Sequence, residues 1–155
     1  MSLLWFVKWL HVIGACVLFG TGVGIAFFLW TAHLSRQVAV IAHVATWVVR
    51  ADWLFTLTSG VLQPITGAAL IVLGGHDPGS AWLLAAYGLY GLALVCWLPV
   101  VWIQLRVRDL AVAAAATGAP LPPRHAVLMR WWFTLGWPAF GALLAVFALM
   151  IVRPL

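Results

Sequence analysis

Charged side chains are scarce in this chain: they make up 7% of its 155 residues, where a soluble domain carries roughly a quarter. Acidic groups are scarcer still, with Asp52, Asp77 and Asp109 set against eight basic residues. Hydrophobic residues reach 66%. A chain this short cannot build a core that absorbs so much apolar surface, whereas a bilayer can. A soluble globular domain is therefore excluded. The net charge of +5 does not indicate nucleic acid, because the basic residues stand beside apolar runs. That placement is the topology signal of a membrane protein.

Cysteine is nearly absent too. Cys16 and Cys96 both fall inside apolar runs, so they offer no framework for a structural disulfide or a zinc site. With three methionines they are also a poor soft-ligand set for copper. No nucleophile-and-base arrangement, phosphate loop or zinc-protease signature occurs. A cleaved signal peptide is not expected, because Lys8 and His11 interrupt the first apolar run and no basic stretch precedes it. Ile13-Gly14-Ala15-Cys16 has some likeness to a lipoprotein cleavage site but lies inside a much longer run.

What is present is four long apolar segments, at about 3–30, 46–73, 81–105 and 127–152. They predict an all-α integral membrane protein, with residues 1–155 forming a single domain, a bundle of four transmembrane helices. Breakers separate the segments: the polar stretch around Ser35-Arg36-Gln37, the turn His76-Asp77-Pro78-Gly79-Ser80, and Gly118 to Pro123. The third helix is expected to run on past Arg106, Arg108 and Asp109 into an alanine-rich stretch. Pro138 predicts a kink in the fourth. Arg36, Arg50, Arg106, Arg108, Arg124 and Arg130 flank the first and third connections, while Lys8 and Arg153 lie towards the other side. Positive residues stay in the cytoplasm, so both termini and the His76 turn are expected on the outer, periplasmic face of a bacterial inner membrane.

The first segment organises the rest. Lys8 and His11 stand one helical turn apart within it, and an ionisable pair inside an apolar span needs a partner or a task. His11 lies about 12 Å along the helix from Leu3 at 1.5 Å per residue. It is expected either to bond a hydroxyl or carbonyl on a neighbouring helix or to serve as an axial ligand to haem iron. Lys8 is then placed either to meet a haem propionate or to snorkel to the headgroups. At the level of His11 the second span offers Thr66 and Gly67, and the third offers Tyr87 and Tyr90. Gln63-Pro64 can bend the second span and supply a polar contact. No second histidine sits at that depth, although His76 could fold inward from its turn. Beyond His11, small residues including Gly14 leave room for another helix or a flat cofactor.

His33, His43 and His125 gather near the ends of the first, second and fourth spans, where they are either ordinary interfacial histidines or an inner metal or haem site. Asp52 cannot face Arg50 two residues away on a helix, so Arg130 is its expected ion-pair partner, with a proton relay as the alternative.

Lys8-Trp9-Leu10-His11-Val12-Ile13-Gly14, followed by Phe19-Gly20-Thr21-Gly22, resembles the opening of a bacterial membrane family, domain of unknown function 2269. Ala51-Asp52-Trp53-Leu54-Phe55-Thr56, then Gln63-Pro64-Ile65-Thr66-Gly67, is similar to its second helix. The Lys-x-x-His opening also resembles two wider groups, the CopD-like copper-resistance membrane domains and the HemJ protoporphyrinogen oxidases. The HemJ likeness implies a helical bundle binding haem b through the first-helix histidine, here His11. The HemJ pattern has a further functional lysine, and this chain has none after Lys8, so the haem implication reaches further than the enzymatic one.

The resulting expectation is a b-type haem-binding membrane protein serving electron transfer or a redox partner. Its expected site comprises His11 on the iron with Lys8, Gly14, Gly67 and His76 around it, and His33, His43 and His125 as weaker metal candidates. The alternatives are a HemJ-like oxidase and a cofactor-free accessory subunit of a larger respiratory or transport complex. Its surroundings are then the lipid bilayer and other membrane subunits or further copies of itself, not nucleic acid.

Overall fold

A computed structural model of the chain describes residues 2–152. Helix α1 covers Leu3–Ser35. The second span comprises α2 (Val38–Ala51), a wider π-helical stretch (Asp52–Leu57) and α3 (Thr58–Gly74), which run on without a break. Helix α4 covers Ala81–Thr117 and α5 covers Pro123–Val152. All four spans are long and apolar enough to cross a membrane. Arg153 lies outside the described residues.

The helices overrun the apolar segments at the ends near the arginines. The first span continues to Ser35, the second begins at Val38 rather than near 46, and the fourth begins at Pro123 rather than near 127. Hydropathy marks where a helix can meet lipid, while hydrogen bonding continues until a breaker intervenes. α4 prolongs itself through the alanine-rich stretch to Gly118, as expected.

Two glycines close helices by the same device. Gly75 and Gly118 adopt left-handed φ of 63° and 67°. His76 N–H then donates to the Ile71 carbonyl, and Ala119 N–H to the Ala114 carbonyl, both at 3.0 Å. Without a Cβ, glycine makes this turn free of the steric cost other residues meet. A proline follows within a few residues of each. The connections are short, so sequential spans lie antiparallel.

Packing differs between the two halves of the bundle. On the side of the arginines, Leu29, Val48, Val107 and Met129 interdigitate from four helices in one core. On the side of the chain termini, the helices pack most closely in two pairs, α1 with α3 and α4 with α5, with Phe19 of α1 reaching across to Phe140 and Phe147 of α5. α3 packs against α1 and makes little contact with α4 or α5. A cleft opens between the pairs. Trp5, Trp9, Trp47, Trp53, Trp102 and Trp131 are exposed, which suits a lipid-facing surface and would be a liability in water.

Candidate functional site

His11 and Thr66 meet between α1 and α3. His11 Nδ1 lies 2.7 Å from Thr66 Oγ1. The hydroxyl also reaches the Leu62 carbonyl at 2.8 Å, with the Gln63 carbonyl further off at 3.2 Å. A threonine hydroxyl has one proton and carbonyls can only accept. The proton can go to the Leu62 carbonyl or to Nδ1 of His11, and the tautomer of the imidazole sets which. In the tautomer whose Nδ1–H donates to Oγ1, Nε2 is unprotonated with its lone pair available. Among the described residues no hydrogen bond involves Nε2.

The same contact is tied a second time. Gln63 Nε2 donates to the His11 carbonyl at 3.0 Å, laying its amide across Gly14. A Cβ at Gly14 would stand 2.6 Å from that nitrogen. Gly67 sits against the imidazole itself, where a Cβ would lie 3.6 Å from Cε1. Of the residues expected around His11, Gly67 thus touches its ring and Gly14 serves the helix–helix contact. Lys8 is exposed with its ammonium 5.4 Å from the Trp5 ring, the posture of a snorkelling lysine. His76 stays in its exposed turn, edge-on to Trp82.

A second polar cluster lies at mid-bundle. Asp52 is 3% exposed, and Arg130 does not reach it. The inward face of α5 at that level is taken by Leu128, Met129 and Trp132, which leaves Arg130 on the exposed side. Among the described residues the only ion pair joins Arg108 to Asp109. Neutral donors serve the carboxylate instead. Trp97 Nε1–H approaches Oδ1 at 3.4 Å. With the Gln104 amide oriented so that its nitrogen faces Asp52, it donates to Oδ2 at 3.0 Å, and its oxygen accepts from Trp132 Nε1–H at 3.2 Å. Thr56 lies one turn along from Asp52, with its buried hydroxyl beside the carboxylate. Asp52, Thr56 and Gln104 line one end of the interhelical cleft, a cavity of about 560 Å³.

His11 is not among the residues that line the cavity. Gln104 and Trp97 are not among the residues expected in a site, and Trp132, expected with other tryptophans at the inner interface, is buried. Gln104 did carry a signal, since a lone amide inside an apolar span must find a partner.

The three arginine-side histidines divide. His33 and His125 stack with ring centroids 5.5 Å apart, and each keeps a buried nitrogen without a partner, Nδ1 and Nε2 respectively. His43 is exposed beside Trp47 and stands apart from that pair. No group of three or more metal-ligating side chains occurs among the described residues.

Residues 5–154 match the family described as Predicted integral membrane protein (DUF2269). No curated protein and no solved structure matches the chain.

Proposed function

The chain belongs to the DUF2269 family of predicted integral membrane proteins, and from that premise we propose that it binds haem b through His11 and serves electron transfer in a bacterial inner membrane. The hydrogen-bond accounting at Thr66 carries this reading. With the threonine proton on Leu62, the imidazole has Nδ1–H engaged and Nε2 free, the arrangement by which a neighbouring acceptor orients a histidine ligand. Gly67 keeps the ring's flank free of a side chain. His11 can supply one axial ligand, and among the described residues no second histidine shares its level. Bound haem iron contributes a one-electron redox couple. The chain's own part is to hold the imidazole in one tautomer and one orientation within an apolar setting. Arginines at the first and third connections support a cytoplasmic position for that end and an outward position for the termini.

A cofactor-free accessory subunit is the second reading. It is favoured by the fact that the His11–Thr66 and Gln63–His11 bonds already give the imidazole and its carbonyl a structural use. An absorption spectrum of the purified protein separates the two. The haem reading expects a Soret band that disappears in His11→Ala and persists in His43→Ala and His76→Ala. No chromophore in the wild type, together with co-purifying membrane subunits, would replace it with the second reading. Oxidation of protoporphyrinogen by membranes carrying the protein would assign the HemJ-like activity.

A further inference from the structure

The cavity between the two helix pairs contains the one buried acidic side chain among the described residues, and that side chain has no cation beside it. Bare carboxylates in a membrane interior are expensive, so those that persist face a counter-charge or a functional cavity. Here the counter-charge does not come from the protein. Arg50, the nearest basic residue in sequence, turns away to lie 4.8 Å over the Trp47 ring.

Three further features describe what the cavity would accept. Its apolar walls beyond the polar end include Tyr90, Trp97, Phe133, Trp137 and Phe140. Aromatic faces attract cations through the ring quadrupole, most strongly where water is absent. The Thr56 hydroxyl, in a residue 7% exposed, lines the same space beside Asp52 and adds a second polar group to that end. The π-helical stretch that carries both residues is a rare backbone form found disproportionately at functional sites.

The cavity also has a route of entry. Val61, Ile65, Leu94 and Trp137 line it and are at the same time exposed on the bundle surface. In a bilayer those positions meet lipid, so a ligand dissolved in the membrane reaches the space from the side. At about 560 Å³ the cavity falls in the range of about 300–1,000 Å³ typical of small-molecule sites.

We propose that this interhelical cavity is a binding site for a lipid-soluble organic cation, with its positive charge against the Asp52 carboxylate and its apolar body against the tryptophan and phenylalanine walls. The site is separate from His11 and stands whether or not haem is bound.

Tetraphenylphosphonium and tetraphenylborate, alike in size and shape and opposite in charge, are the probes. Binding of each is measured by calorimetry on the full chain in detergent micelles. The expected result is saturable binding of tetraphenylphosphonium and none of tetraphenylborate. Asp52→Asn should weaken the cation by about tenfold or more, as loss of a buried charge partner does, while Asp52→Glu retains most of the affinity. Gly136 lines the cavity and a Cβ there meets nothing within 4 Å. Gly136→Leu therefore adds bulk at the cavity wall while leaving the Asp52 carboxyl in place, and should also abolish binding, which guards against misfolding of the Asp52 variants. Equal binding of the two probes, no saturable binding of the cation, or wild-type affinity in both Asp52→Asn and Gly136→Leu would overturn the proposal. Lipid that occupies the cleft and is not displaced by the cation would do so too.

Discussion

Tyr90 donates its hydroxyl to the carbonyl of Gly60, the oxygen that Pro64 leaves without its usual amide partner. In an α-helix that carbonyl would accept from the N–H of residue 64, and proline has none. In a bilayer no water can take the place of the missing donor. The proline on α3 and the tyrosine on α4 are therefore one feature, and the bond joins the two helix pairs beside the contact of Phe19 with Phe140 and Phe147.

Removing the hydroxyl should show this dependence. Tyr90→Phe is expected to destabilise the bundle by about 1 kcal/mol, within the range measured for single hydrogen bonds in membrane proteins. In a Pro64→Ala background the amide is restored, and Tyr90→Phe should cost close to nothing. Denaturant unfolding in mixed micelles measures the cycle. Equal costs in the two backgrounds would show that the hydroxyl and the proline act independently.

At Gly14 the sign of a substitution should depend on its neighbour. An added methyl group displaces the Gln63 amide from the His11 carbonyl, losing about 0.5–1.5 kcal/mol. The gain in helix propensity from Gly to Ala is about 1 kcal/mol, so Gly14→Ala alone should be near neutral. With Gln63→Ala already present the amide is gone, and the same change should stabilise the protein in full. Thermal unfolding of the four chains tests it.

Gln104 holds two partners at once. Gln104→Leu strands one oxygen of Asp52 and the indole of Trp132 together, and is expected to cost about 2–4 kcal/mol. Replacing Asp52 with Leu in the same chain removes the stranded charge and should recover part of that loss. A double variant less stable than Gln104→Leu would contradict the arrangement.

Thr66→Val takes away the acceptor that orients His11, and Thr66→Ser keeps it. The valine variant should lose about 0.5–2 kcal/mol of stability, and the serine variant much less. If haem is bound, valine should also shift the Soret band and weaken retention of the group while serine preserves both. Spectra and unfolding curves from the same samples provide the comparison.

Four helices could be read from hydropathy because the cost of placing charge in lipid is imposed on every residue of a span, whatever its neighbours. Their ends were harder to place, since α2 and α5 begin in polar stretches that hydropathy discounts. Thr66 and Gly67 could be matched to His11 by counting residues along two antiparallel helices, a one-dimensional argument that held. The partner of Asp52 could not be found that way. Arg130 stands at a suitable depth, but depth does not say which way a side chain faces.

Composition and spacing thus determined that the chain is helical, with four spans long and apolar enough to cross a membrane, because lipid acts on each span separately. Only the tertiary structure decided which polar groups meet. Rotation of α5 turned Trp132 inward and Arg130 outward, and the separation of α1–α3 from α4–α5 created a cavity at Asp52. Rotation and separation follow from how side chains of several helices fit together, and no single span contains that information.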